Sequence, residues 1–338
     1  MIIFAGIKHP SFGQGSEALA ELAGLTVPEK QVERITKRIG QERVAERECE
    51  VQAFLSLPLM QKVSSPIHET VDLAVVEMDG GRLQILDRRG ATPLPLQDEA
   101  QIDGTGPHDE EEEEPHQGHW REDKIGVLMT MTSTVSTTDP CPKIPEHFVD
   151  PTRILKLVRE IKSGVSVPER DEPEAAKEAA ESKPDVEATW IPQPKIRTTV
   201  ATRAPAKRFK AILAQAAWAL GFATASRKAF VADGAAVNWT THKRWFSDFV
   251  AILDFIHALS YIFAAAMAGR TFRDGWQTYV GWIQEVWSGQ VERVITALEL
   301  RQAELGQATK DDAETSPRWV IATTLGYLQN HKDRMRYD

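Results

Sequence analysis

The sequence predicts an α/β protein with a mixed, partly parallel sheet and flanking helices, preceded by a helical unit and followed by an all-helical region. Three observations carry that prediction. In the first 65 residues, Ser16 to Ala23 and a longer run through Val32, Ile35, Ile39 and Val44 read as helices. From Thr70 onward short β-branched runs alternate with helical patterns, the signature of an α/β core. Beyond Met267 the pattern is wholly helical and rich in tryptophan. The corresponding units are residues 1–65, 66–266 and 267–338, with disordered acidic loops expected near 90–120 and 166–195. A chain of 338 residues, 42% hydrophobic, is long enough for two or three packed units.

In the first unit, Ser16 to Ala23 (SEALAELA) reads as a short helix and Gly24 as a turn. Thr26 as a cap and Pro28 in the first turn then open a long helix through Val32, Ile35, Ile39 and Val44. Helix, glycine turn and helix make the outline of a helix-turn-helix. The same pattern serves plain helical packing, so DNA reading by the second helix stays one of two readings. From Thr70, VDLAVVEMDGGRLQIL is expected to form a hairpin broken at Asp79-Gly80-Gly81. Lys124 to Thr132 is the next strand. The Pro/Glu/Lys-rich run from Ser166 to Pro194 reads as a loop. Pro205 precedes a helix from Lys207 to Gly221, and KAFVA (228–232) and FVAIL (249–253) are short buried strands that stop at Asp233 and Asp254.

Composition excludes several function classes. Cys49 and Cys141 form no CxxC pair and no Cys/His cluster, which argues against a disulfide framework or a structural zinc site. The N-terminus lacks the pattern of a secretory signal, so a cytoplasmic location is expected. Phe249 to Met267 approaches the length of a membrane span, but Asp254 and His257 would sit near its middle, so no membrane partner is expected. The formal net charge of −9 opposes phosphate binding as a sum. Much of the acid, however, lies in His108 to Glu114 and Glu169 to Glu187, which have the composition of solvated loops. Residues 197–210 carry basic side chains and no acid, and Arg227, Lys228, Lys243 and Arg244 follow. A positive face and ordinary solvated cations are both compatible with this.

Asp79 ends VVEMD and Asp233 ends FVAD, each followed by glycine. Two such carboxylates can converge to hold Mg²⁺ for phosphoryl transfer, because the short Asp side chain fixes an ion rigidly. Asp-Gly is also the commonest hairpin-turn signal. Asp254 and His257, at a strand-to-helix junction, are a second candidate pair, with a helix cap beside a hydrogen-bonded histidine as the structural alternative. His108, His116 and His119 could catch a metal adventitiously, and the C-terminal tryptophans could stack on bases or fill a core.

Taken together, VDLAVVEMDGGRLQI, KAFVADGAAVNWTTHKRWF, FVAILDFIHALSYIFAAAMAG and SPRWVIATTLGYLQNHKDRMRYD resemble successive blocks of the ISKra group of bacterial insertion-sequence transposases, of the DDE class. The resemblance implies a ribonuclease-H-like core with a helical insertion after the fifth strand. It also implies DNA as partner, at element terminal repeats and target, and Mg²⁺ (or Mn²⁺) as cofactor. Asp79 then corresponds to the first catalytic and metal-binding Asp, and Asp233 to the second. Asp254 and His257 resemble an accessory active-site Asp-x-x-His motif, and Lys207, Arg208, Lys210, Lys243 and Arg244 become candidate DNA contacts. Full-length relatives are expected to act as homo-oligomers. The family's third acid, a Glu beyond the RMRYD block, has no counterpart here, so an inactive fragment truncated at both ends is expected. The alternative is a DNA-binding remnant without catalysis that represses transposition.

Overall fold

The computed structural model describes residues 1–84, 120–161 and 191–337. The acidic run 108–114, the three loop histidines and most of the 166–195 segment lie outside the described residues.

Helices α1 (Ile2–Lys8), α2 (Phe12–Ala23) and α3 (Glu29–Ser56) form a small three-helix unit around Ala5, Leu19 and Val32. The Ser11 hydroxyl caps α2 by accepting from Gln14 N at 3.2 Å. Gly24, at φ 61°, closes the same helix, with N–H groups of Gly24 and Leu25 returning to Ala20 and Leu19. The expected helix, glycine turn and helix are therefore present. Thr26 is not the cap of α3; Pro28 occupies that position, with no side-chain cap. After α4 (Leu59–Lys62) the chain enters the sheet.

The five strands are β1 (Leu73–Gln84), β2 (Trp120–Thr132), β3 (Gln193–Thr202), β4 (Arg227–Ala232) and β5 (Val250–Leu253). Their order is β3-β2-β1-β4-β5. β1, β2 and β3 pair antiparallel, while β4 is parallel to β1 and β5 is parallel to β4. The fold is thus a mixed α/β one with a five-stranded mixed sheet and flanking helices. The expected hairpin at Asp79-Gly80-Gly81 does not form. Both glycines stay in register within one continuous strand, opposite Lys124 and Asp123, and neither has the positive φ of a primed turn. The tail of the expected 166–195 loop is likewise strand, since β3 begins at Gln193.

On one sheet face Ala74, Val76, Met78, Leu128, Phe230 and Ala232 form a core with the end of α3 and with α6 (Ala206–Ala219). Gly126 lets α6 lie directly on β2, because a Cβ there would enter the Leu213 side chain. The opposite face is less covered among the described residues: Ile125, Val127, Met129, Val231 and Ile252 are only half-buried. α7 (Ala236–Trp245) links β4 to β5.

A second core is helical, built from α5 (Pro151–Ile161), α8 (Phe255–Met267), α9 (Phe272–Trp287), α10 (Val291–Leu305) and α11 (Pro317–His331). Phe263, Tyr279, Ile283 and Leu298 are fully enclosed in it. α5 was not foreseen from the sequence. The Asp254, Thr271 and Ser316 side chains cap α8, α9 and α11. Among the described residues no helix is long and apolar enough to cross a membrane.

Candidate functional site

The last parallel pairs are Met78 with Ala232 and Ala232 with Leu253. One step further along the three strands stand Asp79, Asp233 and Asp254, in adjacent positions on the same rim. Asp254 N still donates to Ala232 O at 2.8 Å. Asp79 is not a strand end, as the sequence suggested. β1 continues to Gln84, paired only with β2, and the rim exists because β4 and β5 stop. Side chains alternate along a strand, so Asp79 shares the less covered face with Glu77 and Ile125.

Asp233 is oriented by the start of α7. Its Oδ1 accepts from Ala235 N at 2.8 Å and from Asn238 Nδ2 at 2.7 Å, and Asn238 is itself buried. Asp79 Oδ1 accepts from Gly80 N at 2.7 Å. Each carboxylate thus has one oxygen tied locally and the other without a hydrogen bond among the described residues. Mg²⁺ is commonly held by one or two carboxylates while keeping several waters and substrate oxygens, so two aspartates are the type of donor that such an ion takes. Among the described residues no group of three or more His, Cys, Asp or Glu is arranged to hold a metal. An all-protein cage is therefore not what these residues build.

Asp254 does two jobs. Its Oδ1 caps α8 through Ile256 N at 2.9 Å and its Oδ2 meets His257 Nδ1 at 2.9 Å. An ionised carboxylate only accepts, so Nδ1 carries the proton and Nε2 is left for other partners. Burial pushes the Asp254 carboxyl up, but the His257 hydrogen bond, the Ile256 N–H and the His257 charge outweigh it and hold the pKa below the ordinary value. The His257 pKa is raised, first by its hydrogen bond to Asp254, against burial, and further by the charges of Asp254, Asp233 and Asp79. The imidazole therefore senses both metal-ligand candidates as well as its own partner. The cap and the accessory-site readings are compatible in this geometry, and Asp254 serves both.

Four residues near this rim escaped the sequence analysis. Glu77 is a half-buried carboxyl raised by burial, opposed by Arg197 and reinforced by Asp254. Its spacing of two from Asp79 on a strand was the signal that could have found it. Tyr261 and Tyr327 stack with centroids 3.9 Å apart and an interplanar angle of 8°. Burial raises both phenols, and Asp233 adds to each. His331, on the last turn of α11, also lies within the field of Asp233. No local pattern announces these three, because a tertiary contact brings α8 and α11 to the β4 end.

The basic candidates divide. Arg208 is ion-paired with Glu48 of α3, and Lys210 donates to Thr240 at 2.8 Å. Burial, then the nearby Arg244, lowers the Lys210 pKa. Lys207, Lys243 and Arg244 are exposed. On α3, Lys37, Arg38 and Arg43 lie beside Glu33, Glu42 and Glu46 within three or four residues, which reduces the free positive charge of that helix.

Comparison of the chain with protein-family models, with curated proteins and with solved structures gave no match.

Proposed function

We propose that the chain is a DNA-transposase-type protein with a ribonuclease-H-like core, binding a divalent ion and a DNA phosphodiester at the Asp79–Asp233 rim. The observation that carries this is the register: two distant acids stand side by side where β4 and β5 end, each with one carboxylate oxygen free of hydrogen bonds among the described residues. The strand order β3-β2-β1-β4-β5, with three antiparallel strands followed by two parallel ones, is compatible with that core.

In this scheme Asp79 and Asp233 hold Mg²⁺ or Mn²⁺. Bound there, the ion supplies activation of a water or 3′-hydroxyl and neutralisation of phosphate charge. Asn238 and the Ala235 N–H keep Asp233 Oδ1 occupied, so Oδ2 is presented in one orientation. Asp254 fixes His257 so that Nε2 is the atom able to take or return a proton. Lys207, Lys243 and Arg244 contribute salt-dependent attraction for the DNA backbone. With two protein carboxylates in this scheme, strand transfer is expected to be slow. Ion binding is therefore the primary readout.

The test is Mn²⁺ binding, followed by electron paramagnetic resonance on the intact chain, for wild type, Asp79→Asn and Asp233→Asn. Both variants should lose about tenfold or more in affinity, since each removes a charged ligand. Equal binding by all three proteins would remove the acid pair as a metal site. DNA binding that survives Asp233→Ala without any dependence on a divalent ion would instead favour the binding-only alternative.

A further inference from the structure

Helix α11 reaches the Asp233–Gly234 turn at unusually close range. A Cβ on Gly234 would lie 2.5 Å from Tyr327 Cε2 and 3.1 Å from His331 Nε2. His331 Nδ1 is 3.0 Å from Arg334 Nη1. A guanidinium has donors only and stays charged, so Nδ1 must be the acceptor and the ring proton must sit on Nε2. Arg334 is itself held, with its guanidinium 4.3 Å from the Trp239 ring centroid and Nη1 directed also at Asn330 O. Trp239 belongs to α7, the helix that orients Asp233. The segment after α11 is pinned as well: Met335 is buried and Tyr337 Oη donates to Leu253 O at 2.9 Å.

This assembly fixes one N–H donor, at His331 Nε2, beside Gly234 and within the field of Asp233, whose Oδ2 has no hydrogen bond among the described residues. The donor has no acceptor among the described residues, and the side chain is only half-buried. The rings of Tyr327 and Trp239 lie next to His331, and their hydroxyl and indole N–H are enclosed with no hydrogen-bond partner among the described residues. A half-buried N–H held beside an acidic rim, with no acceptor among the described residues, is open to a ligand that brings acceptor oxygens. A phosphodiester has two non-bridging oxygens, of which one would remain for a hydrogen bond if the other met an ion held by Asp79 and Asp233.

We propose that His331, locked by Arg334 as the neutral Nε2–H tautomer, donates a hydrogen bond to a non-bridging phosphate oxygen of DNA held at the Asp233 rim. The assignment rests on the acid pair being the phosphodiester site. It adds a ligand-contacting residue from the far end of the chain, with a neutral donor in place of a cation. A neutral donor suits a place where a bound divalent ion already supplies positive charge.

The experiment uses the full chain, Ca²⁺ to support binding, and a fluorescein-labelled single-stranded DNA oligonucleotide followed by anisotropy. His331→Gln places an amide N–H near the Nε2 position, whereas His331→Asn keeps a group only near Nδ1. The expected result is a loss of about tenfold in affinity for His331→Asn and near-wild-type affinity for His331→Gln. In ¹⁵N-histidine-labelled protein, NMR should show His331 as the Nε2–H tautomer, and its Nε2 signal should move when the oligonucleotide is added. Binding unchanged in both His331 variants, while Asp233→Asn weakens it, overturns the assignment and leaves the acid pair standing. Binding unchanged in Asp79→Asn and Asp233→Asn as well overturns both. If the variants fold poorly, an Nδ1–H tautomer or an unmoved Nε2 signal in the wild type overturns the assignment without them.

Discussion

Gly234→Ala probes the contact on which the geometry of the rim depends. Gly234 does not have a positive φ, so an alanine there meets no backbone penalty, and its effect comes from the added methyl alone. That methyl would sit 2.5 Å from Tyr327 Cε2 and 3.1 Å from His331 Nε2, against about 3.5–4.0 Å for relaxed carbon contacts. The Tyr327 ring must retreat by roughly 1 Å. It cannot slide freely, because the ring is stacked on Tyr261. Overpacking of this kind costs about 1–3 kcal/mol. Gly281→Ala is the matched control, since nothing lies within 4 Å of that site in the middle of α9, and the exchange should stabilise by about 0.5–1 kcal/mol. Urea unfolding followed by tryptophan fluorescence measures both, and the aromatic NMR signals of Tyr261 and Tyr327 should shift only in Gly234→Ala. A Gly234→Ala protein as stable as wild type, with those signals unmoved, would refute the docking of α11 on the Asp233 turn.

Tyr327→Phe should be neutral or stabilising in the same unfolding assay, because it removes a buried hydroxyl that has no partner among the described residues; a loss of about 1 kcal/mol or more would mean that the hydroxyl makes a hydrogen bond. Asp254→Ala removes the α8 cap and should cost about 1 kcal/mol, a modest figure because the side chain is about one-third exposed. The pH dependence of the same pair has a definite sign. The depressed Asp254 pKa contributes stability present above its unfolded value of about 3.8 and lost as pH falls through the folded value. The raised His257 pKa contributes stability that is full below about 6.5 and is lost as pH rises through its folded value. Wild type should therefore gain most over Asp254→Asn between about pH 4 and 6.5, as read by thermal melts across that range. A difference that is flat with pH would show that the two groups are not coupled.

The sequence determined the local elements whose causes are local. Ser11, Thr271 and Ser316 cap helices because each hydroxyl can reach an N–H three residues on, and that reach is written in the chain. The alternation of KAFVA and FVAIL with helical runs announced the parallel strands, and Asp233 and Asp254 marked where they stop. What local pattern could not settle was Asp79-Gly80-Gly81, since a flexible glycine pair serves a turn or a ladder equally well. The partner strand β2, which runs opposite the whole of β1, made it a ladder. Only tertiary structure placed Asp79 beside Asp233, because register between strands some 150 residues apart is set by packing on the shared core and not by spacing. The same holds for Tyr327 and His331. Their helix reads as core from its periodicity, and its approach to the rim depends on how α11 sits against α8, a packing angle that a single amphipathic pattern does not encode.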